Sequence, residues 1–326
     1  MKNITKKIFM GFLTLFTLVG LIGCGQGGKT KVDPNYPKKP VEILVGFSAG
    51  GGTDACARLV FQYAGKYFGQ KSAIVNRPGA SGEIAWTELS KAPADGYTIG
   101  FINPPTFNSH PVQRAGCKYS MDSFKIIANM VTDPACFVVR TDSPINSVND
   151  LYNLAKTKDI SIGYSGPGTS ESLMLRQIEE LQGTKLDKIP YDGSAPSVVA
   201  LLGGHVDSVV MNVSEAITYT VDGSLKLIAV SSRERVDAFP NVLTLKEQGM
   251  EVYNEAYRGV AAPAGMPDEY IAKIEAAVQK ALEDPEFIEK AKTQNLPLNY
   301  LNSEEFTEII LGIDKNLREE LKKGEW

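Results

Sequence analysis

Residues 41–68 read VEILVGFSAGGGTDACARLVFQYAGKYF. The opening run, VEILVGF (41–47), is apolar, β-branched and too short for a helix, which is the signature of a buried strand. From Thr53 onward the pattern changes. Ala57, Val60, Phe61, Ala64 and Phe68 fall on one face of a helix. Between the two lies Gly46-Phe47-Ser48-Ala49-Gly50-Gly51-Gly52-Thr53-Asp54, with Thr53 or Asp54 placed to cap the helix. Three consecutive glycines remove Cβ obstruction, so backbone N–H groups can approach a ligand. A helix start carries unpaired N–H donors and the positive end of a dipole, which suits a carboxylate or phosphate. A purely structural tight turn is the alternative. The spacing is not G-x-G-x-x-G and no G-K-[ST] follows, so dinucleotide and P-loop readings are poor.

Reading outward, the same rhythm repeats. Strand signals stand at 72–78, 97–103, 159–165, 187–191, 206–212, 225–231 and 257–263, and 124–140 is extended and apolar. Helix signals stand at 82–92, 147–156, 170–182, 195–204, 215–223, 267–284, about 285–294 and 303–322. Alternating strand and helix implies mainly parallel sheets flanked by helices on both faces, an α/β fold. A length of 326 residues suits two domains on a prior of ~150 residues each. Irregular segments near 133–136 (TDPAC) and 254–258 (YNEAYRG) are candidate hinges. They divide the chain into a first lobe of 37–134 plus 256–326 and an inserted second lobe of 135–255.

Two more strand-to-helix loops carry small and hydroxyl residues. Ser165-Gly166-Pro167-Gly168-Thr169-Ser170-Glu171 repeats the first device in the second lobe, although Glu171 could equally make it a structural cap. Tyr191-Asp192-Gly193-Ser194-Ala195-Pro196 forms a third wall, with Pro196 in a first helical turn and Ser194 as cap. Asn103 and Asn212 each end a strand at the same edge. Ligands of α/β proteins bind at such strand ends. The candidate ligand-binding set is therefore Phe47, Ser48, Ala49, Gly50, Gly51, Gly52, Thr53, Asn103, Ser165, Gly166, Gly168, Thr169, Ser170 and Asn212.

The N-terminus reads as a targeting segment. Lys2, Lys6 and Lys7 precede the apolar run Ile8–Gly23, and Leu21-Ile22-Gly23-Cys24 resembles a lipobox, with Cys24 the lipidated residue. An uncleaved membrane anchor is the alternative, but the run is slightly short for a span of ~20 residues. Residues 1–23 then form a signal peptide and 24–36 a flexible Gly-, Lys- and Pro-containing tether. Loss of 1–23 removes three lysines and no acid, taking the formal charge from −4 to −7. An acidic surface argues against nucleic acid. With two His and no C-x-x-C, no metal cluster is expected, and Cys56, Cys117 and Cys136 are read as buried or free thiols.

The motifs together resemble the tripartite tricarboxylate transporter substrate-binding receptors, also called the Bug family. The resemblance runs from about Tyr36 to Leu298. It rests on YPKKPVEILVGFSAGGGTD, on NRPGASG (76–82), APADGYT (92–98), PYDGSAP (190–196), LLGGHVD (201–207) and APAGMP (262–267). It implies a two-lobed periplasmic-binding-protein type II fold that closes on a small carboxylate. In this family backbone amides and water at the two helix starts, here Ser48 to Thr53 and Gly166 to Ser170, hold the acid. No Arg clamp is apparent in the sequence. The leader and Cys24 place the chain outside the cytoplasm as a lipid-anchored protein, at the cell surface or in the periplasm, and a monomer without cofactor is expected. The resemblance further implies that it hands its ligand to membrane subunits of a secondary transporter. Two segments depart from the family pattern: Asn103-Pro104-Pro105-Thr106 replaces a Ser/Thr-rich loop, and Gly168-Thr169-Ser170-Glu171-Ser172 replaces G-S-P-S-H. Citrate is therefore not implied. A sensor of the same fold is a second reading. A secreted hydrolase is a third, but GYSGP fails G-x-S-x-G at its last position, and Ser165 with His205 lacks a placed acid.

Overall fold

A computed structural model describes residues 32–50, 52–166, 169–191 and 194–322. The leader 1–23, Cys24, Gly51 and Gly168 lie outside the described residues, as does the side chain of Ser170.

Strand β1 (Val41–Val45) leads into α1 (Gly52–Phe68), and β2 (Ser72–Asn76) returns parallel to β1. A second helix, α2 (Glu83–Ser90), connects to β3 (Thr98–Ile102), parallel to β1 on its other side. Alternation along these strands fills two cores. Ile43, Val45 and Phe101 pack under α1 with α8 (Asp268–Glu283) and α9 (Pro285–Thr293). Leu44 and Ile102 point the other way, toward Trp86 of α2, Phe107 of α3 (Thr106–Gln113) and Phe306 of α10 (Ser303–Lys322). Period-two side-chain direction makes this division obligatory for strands buried on both faces.

The second parallel unit is β6-β5-β7, from β5 (Ser161–Tyr164), β6 (Asp187–Pro190) and β7 (Ser208–Asn212). Helices α4 (Val148–Ala155) and α5 (Ser170–Gln182) cover one face, α6 (Ser194–Leu202) and α7 (Val213–Val221) the other.

One 17-residue strand, β4 (Phe124–Arg140), belongs to both sheets. It runs antiparallel to β9 (Glu255–Pro263) as far as Pro134↔Glu255, and antiparallel to β7 from Ala135↔Asn212 onward. Outer antiparallel strands β8 (Leu225–Val230) and β10 (Leu298–Leu301) also pair with β4. The expected irregular hinge TDPAC is thus continuous strand. Pro134 sits where the ladder changes partner, and there a missing N–H costs least.

Three more expectations change. Tyr36, the last residue of the expected tether, is 2% exposed, stacks on Tyr270 at 3.9 Å and donates its hydroxyl to the carbonyl of Gly96. Helix α3 was not foreseen, because TFNSHPVQ has no apolar period and contains Pro111. Nor was the four-residue β10. Cys56 and Cys136 are buried, Cys117 is partly so, and all three are free thiols.

Candidate functional site

The register fixes where the two units meet. Ile102, the last residue of β3, pairs with Gly259 of β9; Asn212, the last residue of β7, pairs with Ala135 of β4. The carboxyl edges of both parallel units therefore face the short crossing segments at 131–135 of β4 and 254–258, where the second expected irregular hinge is strand β9 from Glu255 onward. Helices α1, α5, α6 and α7 start at those edges.

At the first edge the glycine loop is built around Asp54. Its carboxylate is buried and accepts from the Gly50 backbone N–H (2.8 Å), Arg58 Nε (2.9 Å) and Asn76 Nδ2 (2.9 Å). The Arg58 guanidinium is the main reason the carboxyl titrates at about 2, against the opposing cost of burial. Asp54 was a candidate cap for the helix N–H groups, but it binds back to the loop instead. The Gly50 amide, counted among the candidate ligand donors, is consequently already engaged. Asn76 Nδ2 also donates to the Phe47 carbonyl (3.0 Å), so the NRPGASG segment fixes the glycine loop. Ser48, Ala49 and Gly50 are exposed, and Phe47 is half-buried edge-on to Trp86. Asn103 Nδ2 donates to Thr53 Oγ1 (3.3 Å), which brings these two candidate residues together, and Asn103 Oδ1 is buried without a partner among the described residues.

At the second edge, Thr169 caps α5. Its Oγ1 accepts from the Ser172 N–H (3.4 Å) and donates to the Gly166 carbonyl (2.8 Å). Gly166 has φ 98°, a conformation glycine adopts without penalty. Ser165 is half-buried beside it. Asn212 caps α7 in a reciprocal capping box with Glu215, so its side-chain oxygen serves the helix. Glu215 also accepts from Ser194 Oγ (2.7 Å), which ties the starts of α6 and α7 together; Ser194 is a helical residue and not the expected cap.

Three residues that the sequence reading passed over join the two edges. Asp133, fully buried on β4, accepts from the Ser214 N–H (3.1 Å) and Ser214 Oγ (2.5 Å) in the first turn of α7. The Arg258 guanidinium on β9 lies 3.6 Å from Asp133 Oδ2, with its side chain 11% exposed. Arg258 Nη2 is also 4.0 Å from where a Cβ on Gly52, the first residue of α1, would stand. Burial raises the Asp133 carboxyl above the usual range, and Arg258 and Ser214 offset this only in part. The signal was present in AYRG and TDP, but 125 positions separate Arg258 from Asp133, and only the strand pairing brings them together.

A separate concavity lies away from the crossing. A groove of about 700 Å³ runs along the edge strand β2, lined by Arg58, Lys66 and Lys71 among others. Arg58 is held by Asp54, and Lys66 by Asp284 and Glu286, on long exposed side chains. This is solvated charge rather than a built site. Among the described residues no group of three or more His, Cys, Asp or Glu could hold a metal, and no helix is long and apolar enough to cross a membrane.

Two α/β units joined by crossing strands, with helix starts gathered at the crossing, define a solute-binding protein of the periplasmic type. Sequence comparison gives the particular kind. Residues 56–320 match the TctC family, the tripartite tricarboxylate transporter family receptor, and the chain belongs to that family. It is 31% identical over 277 residues to the protein of the gbd 5' region of Cupriavidus necator, covering 84% of each chain. Among solved structures it is similar to a TctC solute-binding protein from Polaromonas (30% identity, TM-score 0.77, 88% of this chain and 99% of that one). It is likewise similar to the periplasmic binding protein BugD (30%, 0.74, 88% and 98%). Two Rhodopseudomonas palustris proteins, solved with malate and with adipate, share the fold at 23% and 24% identity (TM-scores 0.73 and 0.76; 87% of this chain, 99% and 97% of theirs).

Proposed function

We propose that this receptor captures a small carboxylate between its two lobes, outside the cytoplasm, and delivers it to the membrane subunits of a tripartite tricarboxylate-type secondary transporter. The observation that carries the reading is the meeting of two carboxyl edges at one crossing, each with a glycine-containing loop opening a helix. Such loops offer backbone donors and helix dipoles to an anion. The family description, a receptor of a tricarboxylate transporter, points to the same ligand class. The lobes are 37–134 with 256–326, and 135–255. The contacts are backbone groups of Ser48 to Thr53, apart from the Gly50 amide held by Asp54, and of Gly166 to Ser170, with Asn103 close by. Anchoring through Cys24 and a monomeric state complete the proposal. Binding that favours the closed form shifts the population toward it.

The test is native mass spectrometry of gently purified protein, followed by calorimetry against mono-, di- and tricarboxylates. A retained organic acid, or micromolar binding to one member of the panel, is the expected result. Retention of a neutral or cationic solute, with no acid bound, would contradict it.

A further inference from the structure

The guanidinium of Arg258 is nearly buried, yet among the described residues it makes no hydrogen bond; its one ionic contact is Asp133 at 3.6 Å. A guanidinium carries five N–H donors in a planar fork suited to a carboxylate. None of its nitrogens is among the fully buried atoms without a partner, so the fork keeps a path to solvent at the crossing and its donors are open to an acceptor of the kind a bound acid supplies. Its position fits: it projects from β9 at the crossing of the lobes, with Nη2 next to Gly52 at the start of α1. Asp133 is fastened to α7 by two bonds from Ser214 and stands 3.6 Å from Nη2, an ionic contact that leaves the hydrogen bonds of the guanidinium unmade.

We propose that Arg258 is the charged ligand-recognition residue of the interlobe site, presenting its fork to one carboxylate of the bound acid while Asp133 holds it in place. This deepens the proposed function and rests on it. It differs from a site made of backbone donors alone, because it makes affinity depend on a cationic side chain.

The test is titration calorimetry of the full chain with malate, adipate and citrate, comparing wild type with Arg258→Gln, Arg258→Lys and the double variant Arg258→Gln with Asp133→Asn. Arg258→Gln alone leaves Asp133 buried without its counter-ion and can lose stability for that reason. The double variant removes both charges and restores a neutral crossing. The account expects the double variant to melt close to wild type while its affinity for the best acid of the panel falls on the order of 30-fold or more. Arg258→Lys, which keeps the charge but not the fork, falls between. Should the double variant also fail to fold, phenylglyoxal labelling of the wild type decides: the bound acid is expected to protect Arg258, and unchanged labelling contradicts the proposal. Acid binding within threefold of wild type in a folded Arg258→Gln or double variant overturns the role of Arg258 and leaves the carboxylate receptor standing. A wild-type chain that retains a neutral or cationic solute and binds none of the three acids removes the carboxylate reading and the Arg258 proposal with it.

Discussion

The Cα of Gly82 lies 2.6 Å from where a Cβ on Gly46 would stand. The end of the first strand and the NRPGASG segment are therefore in backbone contact, and that contact holds the glycine loop at the lobe edge. Gly46→Ala forces two backbones apart, not a side chain aside. Its expected cost is about 1–3 kcal/mol, the range for overpacking a tight interior. Urea denaturation at neutral pH checks this. Stability equal to wild type would show that the loops separate freely, and that they do not define the geometry of the site.

Asp54 holds the same loop from the other side. Asp54→Asn removes the charge that accepts from Gly50, Arg58 and Asn76 at once, for an expected loss of about 1–3 kcal/mol at pH 7. The exposed Arg58 accounts for little of it. The folded carboxyl titrates at about 2, below its ordinary 3.8. Its contribution is thus complete above pH 3.8 and disappears as pH falls through 2. The gap between wild type and Asp54→Asn should close over that window in denaturation curves. A gap that is constant down to pH 2 would mean that the charge has no role.

Much of this was legible in the sequence. The amphipathic period marks α5 and α10 to the residue, at 170–182 and 303–322. Both glycine loops were located because a strand-to-helix turn with a hydroxyl cap is a local pattern. What was not legible is non-local. Asn76, Asp133, Ser214 and Arg258 are ordinary polar residues until strand pairing gathers them. TDPAC looked irregular because a proline inside a strand is tolerated only where its missing N–H is not needed, here at a change of partner, and sequence does not announce such a change.

His110 gives the fold an acid limit independent of the site. It is 2% exposed in α3, its ring is 5.5 Å from that of Trp86, and Nδ1 has no partner among the described residues. Burial pushes the imidazole down to about 4 from 6.5, helped by Arg114 and opposed by Glu83. Above pH 6.5 both states are neutral and stability is whole. Between 6.5 and 4 the unfolded chain takes up a proton that the folded chain refuses, so stability falls, by on the order of 2–3 kcal/mol in all. His110→Leu should flatten the melting temperature across pH 7 to 4. An unchanged slope would assign it to other groups.

A second link between the lobes runs through Arg176 of α5 and Glu320 near the end of α10, an ion pair whose side chains are 14% and 13% exposed. It joins the helix that opens at Thr169 to the last helix of the first lobe. Glu320→Ala is expected to weaken closure by about 1–3 kcal/mol, between the values for exposed and buried pairs. Stopped-flow release of a bound acid should then be faster by roughly tenfold. Release at the wild-type rate would show that α10 does not restrain the lobes.

The central claim is that an acid group sits at the crossing, between the start of α1 and the start of α5. A crystal structure of the chain with the tightest-binding acid of the calorimetric panel tests it most directly. The account predicts carboxylate oxygens within hydrogen-bond distance of backbone amides in both opening turns, with the Arg258 fork on one of them. An acid seated instead in the groove along β2, on Arg58, Lys66 or Lys71, would contradict it.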